Sequence, residues 1–89
     1  MKHRYLEVTF RRGKPLAAYL YLPRQPGATV ARTTDAGQGM KIDYDASGAP
    51  MGIEITAPSA ITVDDVNAVL RSVGLPDVPS EEWAPLRAA

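Results

Sequence analysis

The residues best suited to chemistry in this sequence lie in one acidic segment between positions 43 and 54. Asp43, Asp45, Ser47, Gly48 and Glu54 have the spacing of loop positions one, three, five, six and twelve of an EF-hand. This spacing aims oxygen atoms at one calcium ion and places a glycine at the sharp bend. Asp43, Asp45 and Glu54 would also suit a small metal-dependent enzyme that needs paired carboxylates.

The residues around this segment indicate a β-hairpin instead of an EF-hand. The stretch Gly37-Gln38-Gly39 precedes the loop where a helix is required, and alternating apolar and polar residues flank it. Pro50 occupies a position where the calcium loop normally donates a backbone hydrogen bond. We therefore predict no metal ligands and no catalytic or cofactor-binding residues here, and keep a metal site on the three acids as the alternative.

Alternation along Met40–Thr56 sets the register of this hairpin. Pairing Asp45 with Pro50 places Lys41 opposite Glu54 and leaves residues 46–49 as a loop. Asp45 then accepts hydrogen bonds from the turn amides, and Gly48 supplies a positive φ. We expect the acids to lie on a solvated face with ordinary pKa values. The opposite face gathers the apolar side chains of Met40, Ile42, Tyr44, Met51, Ile53 and Ile55.

Similar patterns predict the other elements. A single helix is expected at Val63–Val73, with Thr62 and Asp65 as a capping box and Gly74 as its end. Ser80 is a second possible helix cap, but Pro85 stops any helix there within about a turn. Period-two or β-branched patterns predict further strands at Arg4–Phe10, Leu16–Leu22 and Thr29–Thr34.

This order of elements predicts an α+β fold. We expect an antiparallel sheet of about five strands, including two hairpins, with the C-terminal helix packed on one face. The 89 residues are expected to form a single domain. Its parts are a β-rich region at 1–58, the helix region at 59–75 and a tail at 76–89.

Composition restricts the function classes. The chain has no cysteine and one histidine, His3, so neither a thiolate zinc site nor a multi-histidine site can form within one chain. The apolar run Leu16–Leu22 is too short to cross a bilayer, and we expect a cytoplasmic protein. Zero net charge argues against nucleic-acid binding. Residues 1–32 nevertheless hold seven Lys or Arg against one Glu, which indicates either internal neutralisation or a basic face.

Aromatic residues suggest a contact surface. Trp83 is expected to close the core, with a subunit contact as the alternative. Tyr19 and Tyr21 lie on a strand that is apolar on both faces, which favours an interface. Because a domain of this size buries only about 60–65% of its unfolded surface, we expect a homodimer, formed through sheet edges or through the Tyr19/Tyr21 face.

Several segments, in their order and spacing, resemble the family called domain of unknown function 2283, which consists of small bacterial proteins. The resemblance covers about residues 3–60, and Lys14-Pro15 stands where the family would have an aspartate before its second strand. It implies a compact β-rich domain without catalytic residues. The segments are Ala17–Tyr21, Val30–Thr33, Ile42–Asp45, Gly48 and Gly52–Ile55.

The resemblance also bears on function. Some members of that family are encoded beside small toxin-like proteins, which implies an antitoxin-like or partner-binding role. We therefore expect a non-enzymatic protein-interaction module that binds another small protein, with the metal-dependent enzyme on Asp43, Asp45 and Glu54 as the alternative.

Overall fold

The computed structural model describes residues 5–84, which form an antiparallel five-stranded sheet and one α-helix. The strand order is β1-β2-β5-β4-β3, so β5 is central and β1 and β3 are the edges. The α+β prediction is confirmed. The strands are β1 Tyr5–Arg11, β2 Lys14–Tyr21, β3 Arg32–Gly37, β4 Met40–Tyr44 and β5 Pro50–Ile55, and the helix is α1 Val63–Ser72.

Tight turns close the first two hairpins. Arg12 and Gly13 connect β1 to β2 with φ of 54° and 77°, and Gln38 and Gly39 connect β3 to β4 with the same values. Two positive φ angles in a two-residue loop match the right-handed twist of the flanking strands. Since Gln38 accepts a left-handed conformation, β3 continues up to Gly37.

The predicted position of the third strand is therefore wrong by about three residues. Thr29 and Val30 were expected to begin it, but the strand begins at Arg32 and includes Asp35-Ala36-Gly37, which looked like a flexible connection. The short turn at Gln38 and Gly39 sets the position of the strand, so the β-branched residues Thr29 and Val30 lie before it. Three of the connections are consequently hairpins, where two were expected.

The register of β4 on β5 follows the predicted alternation for most of its length. Lys41 lies opposite Glu54, as expected. An irregularity next to Asp43 then pairs Tyr44 with Pro50 instead of Met51, so the ladder holds one extra residue on β5. Met51 is nevertheless buried.

Helix α1 begins at the predicted residue and ends at Ser72, one residue before the predicted Val73. The Thr62 side chain accepts from the Asp65 amide while the Asp65 carboxylate accepts from the Thr62 amide, which completes the capping box. At the other end the Leu75 and Gly74 amides donate to the carbonyls of Leu70 and Arg71. This is the Schellman pattern, and it leaves residue 73 as the C-cap.

The inner face of the sheet and the helix contribute to one hydrophobic cluster. Leu20, Ile42 and Ile53 from the sheet belong to it together with Val66 and Leu70 from α1. That the helix covers a single face of the sheet stays a prediction. No helix within residues 5–84 has the length and apolar character that a bilayer span requires.

The segment after α1 is anchored by side chains. Asn67 is buried, and its amide group donates to the Val78 carbonyl and accepts from the Val78 N–H at 2.7 Å. Trp83 is 2% exposed within the same cluster, so its predicted role in closing the core is confirmed. Ser80 is the first residue of a 3-10 turn at Ser80–Trp83, and Pro79, not Ser80, occupies the cap position. The predictions on His3, Arg4 and Pro85 fall outside the described residues.

Candidate functional site

The outer face of the sheet carries two rows of side chains that cross every strand. One row runs from β1 to β3 through Tyr5, Tyr21, Gly52, Asp43 and Thr33. Because directly opposite residues on one face of a sheet lie about 4.5–5.5 Å apart, each row is a chain of neighbours. The second row runs through Glu7, Tyr19, Glu54, Lys41 and Asp35.

Gly52 makes room for a bridge between the two rows. Its position on the central strand has no side chain, and the ring of Tyr19 from β2 lies in that space. The Tyr19 hydroxyl thereby crosses β5 and donates to Oδ2 of Asp43 on β4 at 2.8 Å. Thr33 on β3 donates to Oδ1 of the same carboxylate at 2.6 Å. Asp43 thus connects three strands through its two oxygens.

The expectation that these acids are solvated is wrong for Asp43, which is only 6% exposed. Tyr19 covers it from two strands away, and alternation along one hairpin carries no information about that contact. Burial, and next the hydrogen bond to Asp43, raise the pKa of Tyr19 to about 12. Tyr19 therefore keeps its proton, and remains a donor to Asp43, throughout the physiological pH range.

Glu54 is the second carboxyl of this group, and its pKa is raised above the ordinary 4.5. Burial is the largest cause, followed by hydrogen bonding and charge repulsion with Asp43, while the positive charge of Lys41 opposes them. Two neighbouring carboxyls resist carrying two negative charges, so one of them holds its proton more tightly. The expectation of ordinary pKa values on this face is wrong for Glu54 as well.

The raised pKa of Glu54 predicts a pH-dependent stability. Because the folded state binds this proton more tightly than the unfolded chain, the stabilisation is full below pH 4.5 and is lost as the pH rises through the folded pKa. We expect Glu54→Gln, which is neutral at every pH, to raise the thermal midpoint relative to wild type more at pH 7 than at pH 4. Thermal melts across this range measure it.

Glu82→Gln is the matched control, because it removes the same charge from an exposed position in the 3-10 turn. Its offset from wild type should not follow the same pH profile. A Glu54→Gln offset that is equal at both pH values would contradict the raised pKa of Glu54.

Asp45 does not belong to this carboxyl pair. Its Oδ1 accepts from the Ser47 amide at 2.9 Å, the Ser47 hydroxyl at 2.6 Å and the Ala49 amide at 3.0 Å. These bonds, led by the Ser47 side chain, lower the pKa of Asp45. The predicted role of Asp45 in the turn is confirmed, and so is the positive φ of Gly48, which is 88°.

The structure consequently separates the residues that match the EF-hand spacing. Strands flank the loop on both sides, where a calcium loop has helices. The Asp45 carboxylate accepts hydrogen bonds from its own loop, whereas the Asp43 carboxylate accepts from Tyr19 and Thr33. Within residues 5–84 no group of three or more His, Cys, Asp or Glu side chains is placed to hold a metal ion.

Aromatic side chains dominate the β1–β2 end of the outer face. The rings of Tyr5 and Tyr21 stack at 4.5 Å with 15° between their planes, and Tyr19 meets Tyr21 edge-on at 4.6 Å. Arg24 lies 5.3 Å from the centre of the Tyr21 ring and donates to the Met51 carbonyl at 2.6 Å. We call Tyr5, Tyr19, Tyr21 and Arg24 the tyrosine cluster. Sequence analysis identified Tyr19 and Tyr21 but missed Tyr5 and Arg24, which only the β1–β2 register and the loop after β2 bring close.

The grooves of the molecule are shallow. A depression of about 210 Å³ lies beside the cluster between Glu7, Tyr19 and Glu54. It is smaller than the roughly 300–1,000 Å³ typical of small-molecule sites. A second groove of about 520 Å³ separates α1 from β3 and β4, and its one helix carboxylate, Asp65, is already used in the helix cap.

Comparison of the chain with protein-family profiles, with curated proteins and with solved structures found no match in any of the three. The resemblance to domain of unknown function 2283 therefore stays a prediction.

Proposed function

We propose that this protein is a non-enzymatic interaction module that binds another protein through the outer face of its sheet. The tyrosine cluster is the centre of this surface. The observation that carries the proposal is the stacked arrangement of Tyr5, Tyr21 and Tyr19 with Arg24 beside the Tyr21 ring. Tyrosine and arginine are the residue types, together with tryptophan, that contribute most often to binding hot spots.

The exposure of the cluster supports this role. Tyr5 is 50% exposed at the edge of the sheet, whereas Tyr19 and Tyr21 are partly buried beneath and beside it. A partner can therefore cover apolar ring surface that is already oriented. Polar residues of the second row, including Glu7 and Lys41, are exposed and would form a polar rim beside this centre.

The rigidity of the cluster also favours binding. Tyr21 donates to Glu7 at 3.3 Å, Tyr19 donates to Asp43, and Arg24 is bound to the Met51 carbonyl. Side chains that are ordered before binding lose less conformational entropy when a partner arrives, which increases affinity. A small toxin-like protein is the first candidate partner, because the family resemblance implies one.

The test combines capture with matched variants. Tagged wild-type protein, a Tyr5→Ala/Tyr21→Ala variant and a Tyr44→Ala variant would each capture proteins from the native host, and each captured protein would be purified and titrated. Tyr44 is the control because it also has an arginine over its ring, Arg32 at 4.5 Å, but lies outside the cluster.

We expect the double variant to bind the purified partner roughly a thousandfold more weakly than wild type, since two hot-spot tyrosines at about 2 kcal/mol each contribute about 4 kcal/mol. The Tyr44→Ala variant should bind with wild-type affinity. Circular dichroism would establish that all three proteins are folded. Equal binding by the double variant, or no wild-type binder at all, would refute the proposal.

A further inference from the structure

We propose that the β1 edge of the sheet pairs with the β1 edge of a second copy of this chain, which forms a continuous ten-stranded antiparallel sheet. This inference goes beyond the proposed function, because it concerns the backbone edge of β1 and needs no other partner, although Tyr5 and Glu7 of β1 belong to both surfaces. Within residues 5–84, β1 is paired on one side only, with β2. Its unpaired backbone groups are therefore available to another strand.

The opposite edge, β3, carries features that discourage such pairing. It is six residues long and has an irregular register between Asp35 and Gly37. Its Arg32-Thr33-Thr34 start is polar, and its largest apolar side chain is Ala36. Short, irregular and polar edges are the means by which sheets avoid edge-to-edge association.

The β1 edge has less of that protection. The irregularity in its pairing with β2 places the extra residue, Leu16, on β2 and not on β1. Strand β1 has seven residues, no proline and no charged side chain on its inner face. The inner face instead carries Leu6, Val8 and Phe10 in alternation. Leu6 and Val8 are only partly buried against the core, and Phe10 is 49% exposed. A seven-residue edge with an incompletely covered apolar row is expected to be covered by another strand.

The sequence of β1 also complements itself. A two-fold axis perpendicular to the sheet keeps each face on its own side, so only registers that pair residues of the same face are possible. With the axis at Val8, all seven residues find partners. Leu6 then faces Phe10 of the second copy, Glu7 faces Thr9 and Tyr5 faces Arg11, and each of these pairs occurs twice.

The neighbouring registers are less favourable. An axis at Glu7 would set the two Glu7 carboxylates directly opposite each other, which is destabilising. An axis at Thr9 would leave Tyr5 and Leu6 facing the turn of the other copy and would keep only residues 7–11 paired. Of these three registers, only the one centred on Val8 pairs the whole strand and brings the apolar row of one copy opposite that of the other.

This register predicts a specific response to charge at position 9, which is exposed on the outer face. We expect wild-type protein to dimerise between about 1 µM and 1 mM in analytical ultracentrifugation. Thr9→Glu places two pairs of carboxylates opposite each other and should weaken the dimer about tenfold. Thr9→Lys places a cation opposite Glu7 and should dimerise at least as tightly as wild type.

Engineered cysteines provide the second measurement, and they are unambiguous because the chain has no native cysteine. Directly opposite residues have Cα atoms about 4.5–5.5 Å apart, within the range that a disulfide spans. In a glutathione buffer Val8→Cys should form a disulfide-linked dimer. Thr9→Cys should remain monomeric in non-reducing electrophoresis, because Thr9 lies opposite Glu7 in this register. Ala68→Cys, on the exposed surface of α1, should also remain monomeric.

A wild-type chain that stays monomeric up to about 1 mM would overturn the proposal. Cross-linking at Thr9→Cys without cross-linking at Val8→Cys, or equal weakening by Thr9→Glu and Thr9→Lys, would overturn the register. Loss of partner binding in the Tyr5→Ala/Tyr21→Ala test is a separate result, because the dimer is measured on the purified chain alone.

Discussion

Replacing Gly52 with alanine is expected to lower the free energy of unfolding by about 3 kcal/mol, although alanine is ordinarily tolerated well in place of a strand glycine. A Cβ built on Gly52 collides with Oη, Cζ and Cε2 of Tyr19, and the ring must leave its place. Overpacking of this kind costs about 1–3 kcal/mol. Loss of the Tyr19 bond to buried Asp43 adds about 1–3 kcal/mol.

A double-mutant cycle isolates this cause. Tyr19→Ala removes the ring, so Gly52→Ala in that background should cost little. We expect urea denaturation to give a coupling energy of about 1–3 kcal/mol between the two positions. Strictly additive effects would mean that the Tyr19 ring does not occupy the space above Gly52.

Replacing Trp83 with alanine is expected to unfold most of the protein near 37 °C. Trp83 is 2% exposed and belongs to the same cluster as Leu20 and Ile53. Truncation therefore leaves a large cavity in the hydrophobic core, in addition to detaching the segment after α1. Such truncations cost about 3–5 kcal/mol, while the free energy of unfolding of a small domain is only about 5 kcal/mol in total. Circular dichroism with urea titration measures the change.

Two controls accompany that measurement. Trp83→Phe keeps most of the apolar volume and should lose about 1–2 kcal/mol. Glu82→Ala changes an exposed neighbour in the same 3-10 turn and should stay within about 0.5 kcal/mol of wild type. A Trp83→Ala variant with an undiminished urea midpoint would show that the tail is not part of the cooperative core.

Local patterns predicted those parts of the fold that depend on neighbours in the chain. The capping box of Thr62 and Asp65, the end of α1 at Gly74 and the Lys41–Glu54 register all follow from spacing that one helix turn or one hairpin determines. The boundary of β3 was missed because it depends on Gln38, a residue with no strong preference for the left-handed conformation that it adopts.

The candidate site was harder to predict, because its contacts join residues that are distant in the chain. Alternation predicts that Asp43 lies on the solvated side of a strand, but Tyr19, twenty-four positions earlier in the chain, covers it across Gly52. Asn67 looked like an ordinary polar residue of α1, but it binds the backbone of Val78. A glycine at the centre of an alternating strand was the one available signal that another side chain needs that space.

The two proposed surfaces are mutually consistent. Pairing of β1 edges would place two tyrosine clusters on the same outer face of one continuous sheet, since the two-fold axis preserves the faces. A dimer would then offer a partner two equivalent sites, and a bivalent partner would gain affinity from the high effective concentration of the second site.

The central claim is that the outer face, with the tyrosine cluster at its centre, binds another protein. Amide chemical shifts of the isotope-labelled chain, recorded while the purified partner is added, test this most directly. We predict that the largest changes occur at Tyr5, Glu7, Tyr19, Tyr21 and Arg24 and that the exposed side of α1 is unaffected. Changes concentrated on α1, with the amides of the tyrosine cluster unmoved, would contradict the claim.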